Sequence, residues 1–280
     1  MYKVFGIIGD PVDHSLSPTM HNIAFKELGI KAVYGAFLVK PENLAKAIEG
    51  IKALNIKGVS VTIPHKEAIV SYLDEIDQVA LKIGAVNTIL NENGVLKGYN
   101  TDWIGVIKAF EEKGVQLKGK RVVILGAGGA SRAIIYALKE SGAEKITLYN
   151  RTYAKAEKLA SLFQISAYPW EDLPKAEGDI LIQATSVGLK SFHSPISEEI
   201  LKRFKIAMDT VYIPLRTKFL SLAEKFVDIT IDGLKMLLYQ GVEQFKLFTG
   251  REAPIIIMEK VLYEEAKRLE EELNLGKEEC

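Results

Sequence analysis

The sequence contains few of the features that mark membrane, secreted or nucleic-acid-binding proteins. Among its 280 residues is a single cysteine, Cys280, which cannot form an internal disulfide and, as a terminal thiol, is a poor candidate nucleophile. No apolar run is long enough to span a bilayer. Lysine plus arginine equals aspartate plus glutamate, at 36 each, so the charge gives no reason to expect nucleic acid or an anionic membrane as a partner.

The length and composition are those of an ordinary globular protein. A chain of 280 residues with 48% hydrophobic content predicts one large domain or two domains of average size. No basic and apolar targeting segment precedes the first predicted strand, and we therefore expect a cytoplasmic protein. No resident metal is expected.

A glycine-rich turn near the middle of the chain joins a predicted buried strand to a predicted helix. Branched apolar residues at 122–125 lead into five small residues, which are Gly126, Ala127, Gly128, Gly129 and Ala130. Strand, glycine turn and helix together favour binding of a nucleotide pyrophosphate, because the backbone can approach the phosphate and the helix N-terminus presents N–H groups. The third position of the usual G-x-G-x-x-G/A spacing is Ser131, and an ordinary strand-to-helix turn remains the alternative.

The chain beyond this turn alternates strands and helices as far as residue 231. Five strands are predicted between residues 120 and 231, and this alternation is typical of a Rossmann-type domain. Roughly 20 residues after the turn, where NAD-specific domains carry an acidic residue, the sequence has Arg151 with Lys155 close behind. A guanidinium can bind a 2′-phosphate, so NADP is favoured over NAD. The alternative is a surface arginine at the start of a helix.

The first hundred residues also alternate strands and helices, with polar residues at the predicted strand ends. Ser15 and Ser17 stand at a helix N-terminus, where a carboxylate could be held. Thr62 and Lys66 follow a strand, and Asp102 follows a predicted hairpin with an Asn-Gly turn. Each has a purely structural alternative, since Ser17 and Asp102 could be helix N-caps and Lys66 could be solvated.

Read in order, these motifs resemble the shikimate dehydrogenase family over essentially the full length of the chain. The matching segments are Ser15–Pro18, Val61–Lys66, Gly84–Thr88, Gly98–Asp102, Gly126–Ala130, Asn150–Thr152 and Asp232–Gln240. One departure is Gln183, where the family usually has asparagine, and it affects a local turn.

The resemblance implies an α/β fold with two domains. A mixed α/β substrate-binding domain would comprise residues 1–102, completed by C-terminal helices at 238–280. A Rossmann domain at 103–237 would bind NADP. Family members occur as monomers and as homodimers, and the sequence leaves the oligomeric state open.

The resemblance also assigns site residues. The implied catalytic pair is Lys66 and Asp102. The implied substrate contacts are Ser15 and Ser17 for a carboxylate, Thr62, Asn87 and Gln240 for ring hydroxyls, together with Tyr212, Lys66 and Asp102. The implied cofactor contacts are the glycine turn from Gly126 to Ala130, the phosphate clamp of Asn150, Arg151, Thr152 and Lys155, and Thr185, Val211, Gly233 and Met236.

The implied reaction is reversible hydride transfer between NADPH and the carbonyl of 3-dehydroshikimate, which gives shikimate. Lys66 either exchanges a proton with the substrate oxygen or acts chiefly as an electrostatic stabiliser, because a carboxylate neighbour favours a charged lysine and burial opposes it. Two alternatives remain. One is a quinate/shikimate dehydrogenase that uses NAD, and the other is a non-catalytic ligand-sensing homologue.

Overall fold

The computed structural model describes residues 2–278, with side chains as far as residue 272; Cys280 lies outside this part of the chain. The chain forms two compact units. The first unit contains the residues up to Ile104 together with Leu238–Tyr263, and the second contains Gly105–Leu237 and the residues from Glu264 onward. The expected division instead placed the first boundary after residue 102 and all residues from 238 in the first domain.

The described residues up to 112 form six strands and five α-helices, with short 3-10 helices at Pro41–Asn43 and Ile69–Tyr72. In chain order these are β1 Lys3–Gly9, α1 Ser17–Glu27, β2 Ala32–Leu38, α2 Leu44–Ala53, β3 Gly58–Val61, α3 His65–Ala68, β4 Glu75–Ile76, α4 Gln78–Ile83, β5 Thr88–Glu92, β6 Val95–Tyr99 and α5 Asp102–Glu112.

The sheet of the first unit is mixed, with strand order β2-β1-β3-β5-β6-β4. Strand β1 pairs in parallel with β2 and β3, whereas β5 is antiparallel to both β3 and β6. The predicted hairpin is present as β5 and β6, and its turn contains Asn93 and Gly94, both with positive φ. This topology brings the C-terminal ends of β1, β3 and β6 to one edge of the sheet, where the polar residues of the sequence motifs follow.

The rest of the chain forms the second sheet and the C-terminal helices. In chain order these are β7 Arg121–Leu125, α6 Gly129–Glu140, β8 Lys145–Asn150, α7 Tyr153–Phe163, β9 Ser166–Pro169, β10 Ile180–Gln183, α8 Glu198–Leu201, β11 Ile206–Asp209, α9 Lys218–Ala223, β12 Ile229–Ile231, α10 Gly233–Thr249 and α11 Ile255–Glu278.

The second sheet is parallel throughout, in the order β12-β11-β10-β7-β8-β9. This is the strand order of a Rossmann fold, and its topological switch point lies between β7 and β10. The prediction of five strands was wrong by one, because β9 at the sheet edge is short and ends in Pro169. The expected α/β fold class, with a mixed N-terminal sheet and a Rossmann-type sheet, is confirmed.

The core of the first unit contains an aromatic cluster that includes a histidine. Helix α1 contributes His21 and Phe25, and α10 contributes Phe245 and Phe248. The ring of His21 is fully buried and stacks on that of Tyr34, with the centroids 4.6 Å apart.

Within residues 2–278, no helix has the length and apolar character needed to cross a membrane.

Candidate active site

An ion pair between Lys66 and Asp102 lies at the edge of the first sheet. Lys66 is in the short helix that follows β3, and Asp102 is the first residue of the helix that follows β6. The Nζ atom of Lys66 donates to Oδ2 of Asp102 at 2.6 Å, and the two side chains are 15% and 5% exposed. The pair is therefore largely shielded from water. This is the arrangement expected of a proton-exchanging or charge-stabilising lysine.

Asn87 holds the second oxygen of the aspartate. Its Nδ2 donates to Oδ1 of Asp102 at 2.8 Å and to Oε1 of Gln240 at 3.2 Å. Its Oδ1 accepts from the backbone N–H of Thr101 at 2.8 Å, which fixes the orientation of the amide. Asn87 is 1% exposed and Gln240 is 6% exposed. Four of the residues implied by the resemblance, Lys66, Asp102, Asn87 and Gln240, therefore form one hydrogen-bonded group.

The helix-cap alternative does not describe Ser17. Helix α1 begins at Ser17 itself, Leu16 occupies the cap position, and no side chain caps the helix. The interpretation of Ser17 as the N-cap was therefore wrong. The N–H of Ser17 donates to Oγ of Ser15 at 3.3 Å, and the Ser17 side chain reaches the hydroxyl of Tyr34. The carboxylate of Asp102 accepts from Lys66 and Asn87.

Thr62 follows β3 directly and is half-buried. Its N–H donates to the carbonyl of Ile8 at 3.0 Å, which extends the β1–β3 pairing by one residue. A Cβ atom at Gly9 would collide with the methyl group of Thr62, so the glycine at the end of β1 leaves room for this side chain.

Three polar residues that were not predicted from the sequence, Tyr34, Ser60 and Gln244, belong to the same network. The hydroxyl of Tyr34 donates to Oγ of Ser60 at 2.6 Å, and Ser60 donates to Oε1 of Gln244 at 2.8 Å. Burial raises the pKa of Tyr34. The sequence does contain one indication for Gln244. It lies four residues after Gln240, and two residues at that spacing lie on the same face of a helix. Ser60 is a lone hydroxyl in an otherwise apolar strand, and such a residue is not informative by itself.

The glycine turn follows β7 at the switch point of the second sheet. Gly126 has φ +108°, and a Cβ there would lie 2.8 Å from the carbonyl oxygen of Ala184. Among the described residues, apart from the chain next to the glycine itself, no atom lies within 4 Å of a Cβ placed at Gly128, so the turn is open on that side. Helix α6 begins at Gly129 without a side-chain cap, and its N–H groups are available to an anion. The turn therefore fits a pyrophosphate.

Ser131, which departs from the glycine spacing, stabilises the turn. Its side chain is fully buried and its Oγ donates to the carbonyl of Gly126 at 2.7 Å. A small residue is still required here, because the helix packs closely on the sheet. The hydroxyl adds a hydrogen bond across the turn that glycine or alanine cannot make.

The residues expected to clamp a 2′-phosphate follow β8. Nδ2 of Asn150 donates to the carbonyl of Thr152 at 2.8 Å, which closes the turn around Arg151. Arg151, Thr152 and Lys155 are exposed. Among the residues that the structure describes, no carboxylate pairs with Arg151, so its guanidinium is not engaged by the protein. The group is suited to a phosphate.

The departure at Gln183 orders the loop after β10. Its Oε1 accepts from the backbone N–H and the hydroxyl of Thr185, and its Nε2 donates to the carbonyl of Val187 at 2.8 Å. The longer glutamine side chain thus reaches both sides of the loop that carries Thr185, an expected cofactor contact.

The loop after β11 carries Val211 and Tyr212 and is held by a buried carboxylate. Asp209 accepts from the N–H of Val211 at 2.9 Å and from the hydroxyl of Thr217 at 2.6 Å. Burial raises the pKa of Asp209 to about 7 and that of Tyr212 to about 12. Tyr212 lies in the second unit, and its expected contact with substrate stays a prediction.

Helix α10 begins with two of the expected cofactor residues. A Cβ at Gly233 would lie 2.7 Å from the carbonyl oxygens of Thr210 and Val211, so only glycine fits where the helix starts. Met236 is buried. Both residues belong to the second unit, whereas Gln240 on the same helix belongs to the first.

Family models match most of the chain. One described as the shikimate dehydrogenase substrate binding domain matches residues 7–89, and one described as shikimate / quinate 5-dehydrogenase matches residues 108–213. A third, the shikimate 5′-dehydrogenase C-terminal domain, matches residues 233–263.

Individual relatives agree with the family models. The shikimate dehydrogenase (NADP(+)) of Pyrococcus abyssi is 47% identical over 264 residues, which cover 94% of this chain and 98% of the relative. A shikimate dehydrogenase solved in complex with NADP+ has a TM-score of 0.87 at 44% identity, covering 95% of this chain and 96% of that one. The Thermus thermophilus enzyme in complex with NADP(H) and shikimate has a TM-score of 0.86 at 38% identity, covering 94% and 99%. The chain belongs to the shikimate dehydrogenase family.

Proposed function

We propose that this protein catalyses the reversible, NADP-dependent reduction of 3-dehydroshikimate to shikimate, a step of the pathway to chorismate and the aromatic amino acids. Two observations support the reaction and the cofactor: membership of the family, and relatives named shikimate dehydrogenase (NADP(+)) that match 92% and 94% of the chain. The observation in the structure that carries the proposal is the shielded Lys66–Asp102 pair, with Asn87 on its second oxygen.

The chemistry required of the protein is the management of one proton. Bound NADPH supplies the hydride that adds to the ketone carbon. As negative charge develops on the ketone oxygen, the Lys66 ammonium donates to it, and the oxygen becomes a hydroxyl when the proton is transferred. In the oxidation direction Lys66 accepts that proton. The 2.6 Å contact with Asp102 holds the end of the Lys66 side chain in place, where it also stabilises the developing charge.

The remaining substrate contacts follow from the chemistry of the side chains. Ser15 and Ser17 at the start of α1 would hold the carboxylate, aided by the helix dipole. Thr62, Asn87 and Gln240 would bind ring hydroxyls, and Asp102 would accept from one of them. Tyr212 would contact the substrate from the loop after β11.

In the cofactor site, the N–H groups at the start of α6 would bind the pyrophosphate. Arg151, with Asn150, Thr152 and Lys155, would bind the 2′-phosphate and discriminate against NAD. Thr185, Val211, Gly233 and Met236 would line the nicotinamide end.

Absorbance of NADPH tests the proposal. Mixing the protein with shikimate and NADP should generate NADPH, and mixing it with quinate or with NAD should give much lower rates. Rates with quinate and NAD that equal those with shikimate and NADP would favour a quinate/shikimate dehydrogenase instead. Absence of a signal with every pair would favour a ligand-sensing protein.

The cytoplasmic location expected from the sequence remains a prediction, and the choice between monomer and homodimer remains open. Light scattering on the purified protein and fractionation of cells would test them.

A further inference from the structure

We propose that Gln244 is a positioning residue of the substrate site: it holds Asn87 by its main-chain carbonyl and so keeps the Asn87–Asp102–Lys66 group in register. This inference rests on the proposed function. Gln244 is 1% exposed, and none of the motifs that indicate the reaction contains it.

The contacts of Gln244 place it between two parts of the site. Its Nε2 donates to the main-chain carbonyl of Asn87 at 3.0 Å and to Oγ1 of Thr88 at 2.8 Å. The Thr88 hydroxyl in turn donates to Oδ1 of Asn87 at 2.8 Å. On its other side, Oε1 of Gln244 accepts from Ser60. Every polar atom of the amide is therefore used.

The polarity of these bonds can be assigned, because a main-chain carbonyl can only accept. Nε2 must therefore face Asn87, and Oε1 must face Ser60. It follows that the hydroxyl of Ser60 donates to Oε1 of Gln244 and accepts from the hydroxyl of Tyr34. The whole chain from Tyr34 to Asn87 has a single direction, and the amide of Gln244 determines it.

Helix α10 consequently holds Asn87 at two points. Gln240 accepts from the side-chain amide of Asn87, and Gln244, one turn later, donates to its main-chain carbonyl. Asn87 directly precedes β5, and its main chain already pairs with both neighbouring strands, its N–H donating to the carbonyl of Tyr99 and its carbonyl accepting from the N–H of Val61. Gln244 adds a second donor to that carbonyl and, through Thr88, a bond to the side-chain oxygen of Asn87. A shift of Asn87 would move the donor that meets Asp102, and displacements of about 1 Å at a reacting group can cost on the order of 100-fold in rate.

The test is the steady-state kinetics of Gln244→Met, which keeps the side-chain length and removes the amide. We expect kcat/KM for shikimate to fall on the order of 10- to 100-fold, with the KM for NADP unchanged. Shikimate binding measured by calorimetry without cofactor should weaken as well. Gln244→Glu keeps the acceptor for Ser60 and loses the N–H donors, so it should not restore activity.

Asn91→Ala is the matched control. Asn91 is a buried amide in the same sheet, bonded to the carbonyl of Ile51 and the N–H of Gly94, and neither bond involves Asn87. This variant should lower the melting temperature and leave the shikimate kinetics unchanged. If Gln244→Met does not fold, Thr88→Val removes the relay to Asn87 with little change of shape, and a smaller loss of kcat/KM is expected.

A double-mutant cycle separates positioning from general destabilisation. In an Asn87→Ala background, Gln244→Met should have little further effect, because the group that it positions is gone. Two results would overturn the role of Gln244 and leave the proposed function standing. One is additive losses of kcat/KM in the cycle, and the other is kinetics of Gln244→Met equal to those of Asn91→Ala. An inactive wild type that does not bind shikimate would overturn both this role and the proposed function.

Discussion

Lys66 and Asp102 show how neighbouring elements can bring two ordinary residues together as a shielded ion pair. Each has a structural alternative when read alone, as a solvated lysine and as a helix cap. The sheet topology places the end of β3 near the end of β6, and the two side chains meet with only 15% and 5% of their surface exposed. Ion pairs at the surface contribute little to stability. The Lys66–Asp102 pair is shielded, and the buried amide of Asn87 fixes its geometry.

The Lys66→Ala variant tests the reactive pair. Removing the ammonium group removes the proton donor and the charge that stabilises the ketone oxygen, so we expect kcat to fall by about 100- to 10,000-fold with little change in KM. Steady-state rates with shikimate and NADP measure this. Lys97→Ala serves as the control, since Lys97 forms ion pairs with Glu75 and Glu92 in the same unit and should leave kcat unchanged. Near-normal turnover of Lys66→Ala would remove this lysine from the mechanism.

Arg151 is the residue that we expect to recognise the 2′-phosphate. A charge-assisted hydrogen bond contributes about 1.5–3 kcal/mol, so Arg151→Ala should raise the KM for NADP by about 10- to 100-fold and change the KM for NAD little. Initial rates with both cofactors measure the difference. Lys158→Ala removes an exposed cation on α7, the helix that follows Arg151, and should alter neither value. Equal effects of Arg151→Ala on the two cofactors would contradict the assignment.

At the scale of single elements, the glycine turn is the clearest case of a backbone requirement. Gly126 combines φ +108° with the carbonyl of Ala184 in the position where a side chain would begin. The strained conformation and the close approach both exclude alanine, and both occur at the switch point of the second sheet. The geometry of the turn therefore depends on β10 as well as on β7.

Gly126→Ala should weaken cofactor binding, because the turn must open to relieve the collision. We expect the KM for NADP to rise and the free energy of unfolding to fall by about 1–3 kcal/mol. Gly142→Ala controls for backbone strain, since Gly142 also has positive φ but its Cβ would meet only Lys118, at 3.5 Å. That variant should lose stability and keep the wild-type KM. If both variants keep the wild-type KM for NADP, the turn does not bind the cofactor as proposed.

The sequence predicts the strands and the glycine turn well because each has a local signal. Buried parallel strands read as apolar runs, and the Asn-Gly turn marks the hairpin. The short edge strand β9 carries no such run and was not predicted. Gln244, Ser60 and Tyr34 were missed for a different reason. Their roles depend on hydrogen bonds between residues as far apart as Ser60 and Gln244, which no local pattern reports.

At the scale of the whole molecule, two buried groups have opposite effects on the pH dependence of stability. Burial lowers the pKa of His21 from 6.5 to about 3, and the nearby Gln244 amide opposes this only in part. Among the described residues, neither ring nitrogen of His21 has a hydrogen-bond partner. Burial raises the pKa of Asp209 from 3.8 to about 7. The unfolded chain therefore takes up a proton at His21, and the folded chain takes up one at Asp209, over nearly the same range of pH.

These shifts predict opposite results for two variants. Between pH 6.5 and 3 the unfolded state binds the His21 proton and the folded state does not, so stability from this group is lost as the pH falls. Each pH unit corresponds to about 1.4 kcal/mol in the free energy of unfolding. As the pH falls from 6.5 to 3, the free energy of unfolding of His21→Phe should therefore rise by on the order of 5 kcal/mol relative to that of the wild type.

For Asp209 the folded state holds the proton, so the free energy of unfolding falls as the pH rises from 3.8 to 7. Asp209→Asn should remove this fall.

Urea unfolding at a series of pH values measures both differences. His193→Phe, at an exposed position, should follow the wild-type curve. A constant difference between His21→Phe and wild type from pH 7 to pH 4 would show that the His21 ring takes up its proton in the folded protein.

The central claim is that the chain oxidises shikimate with NADP through the Lys66–Asp102 pair. The most direct measurement is the initial rate of NADPH formation, followed by absorbance, for wild type and Lys66→Ala with shikimate and NADP, beside parallel reactions with quinate and with NAD. We predict rapid NADPH formation by the wild type with shikimate and NADP only, and a rate lower by about 100-fold or more in the variant. A wild type that forms no reduced cofactor from shikimate, or a variant that forms it at the same rate, would contradict the account.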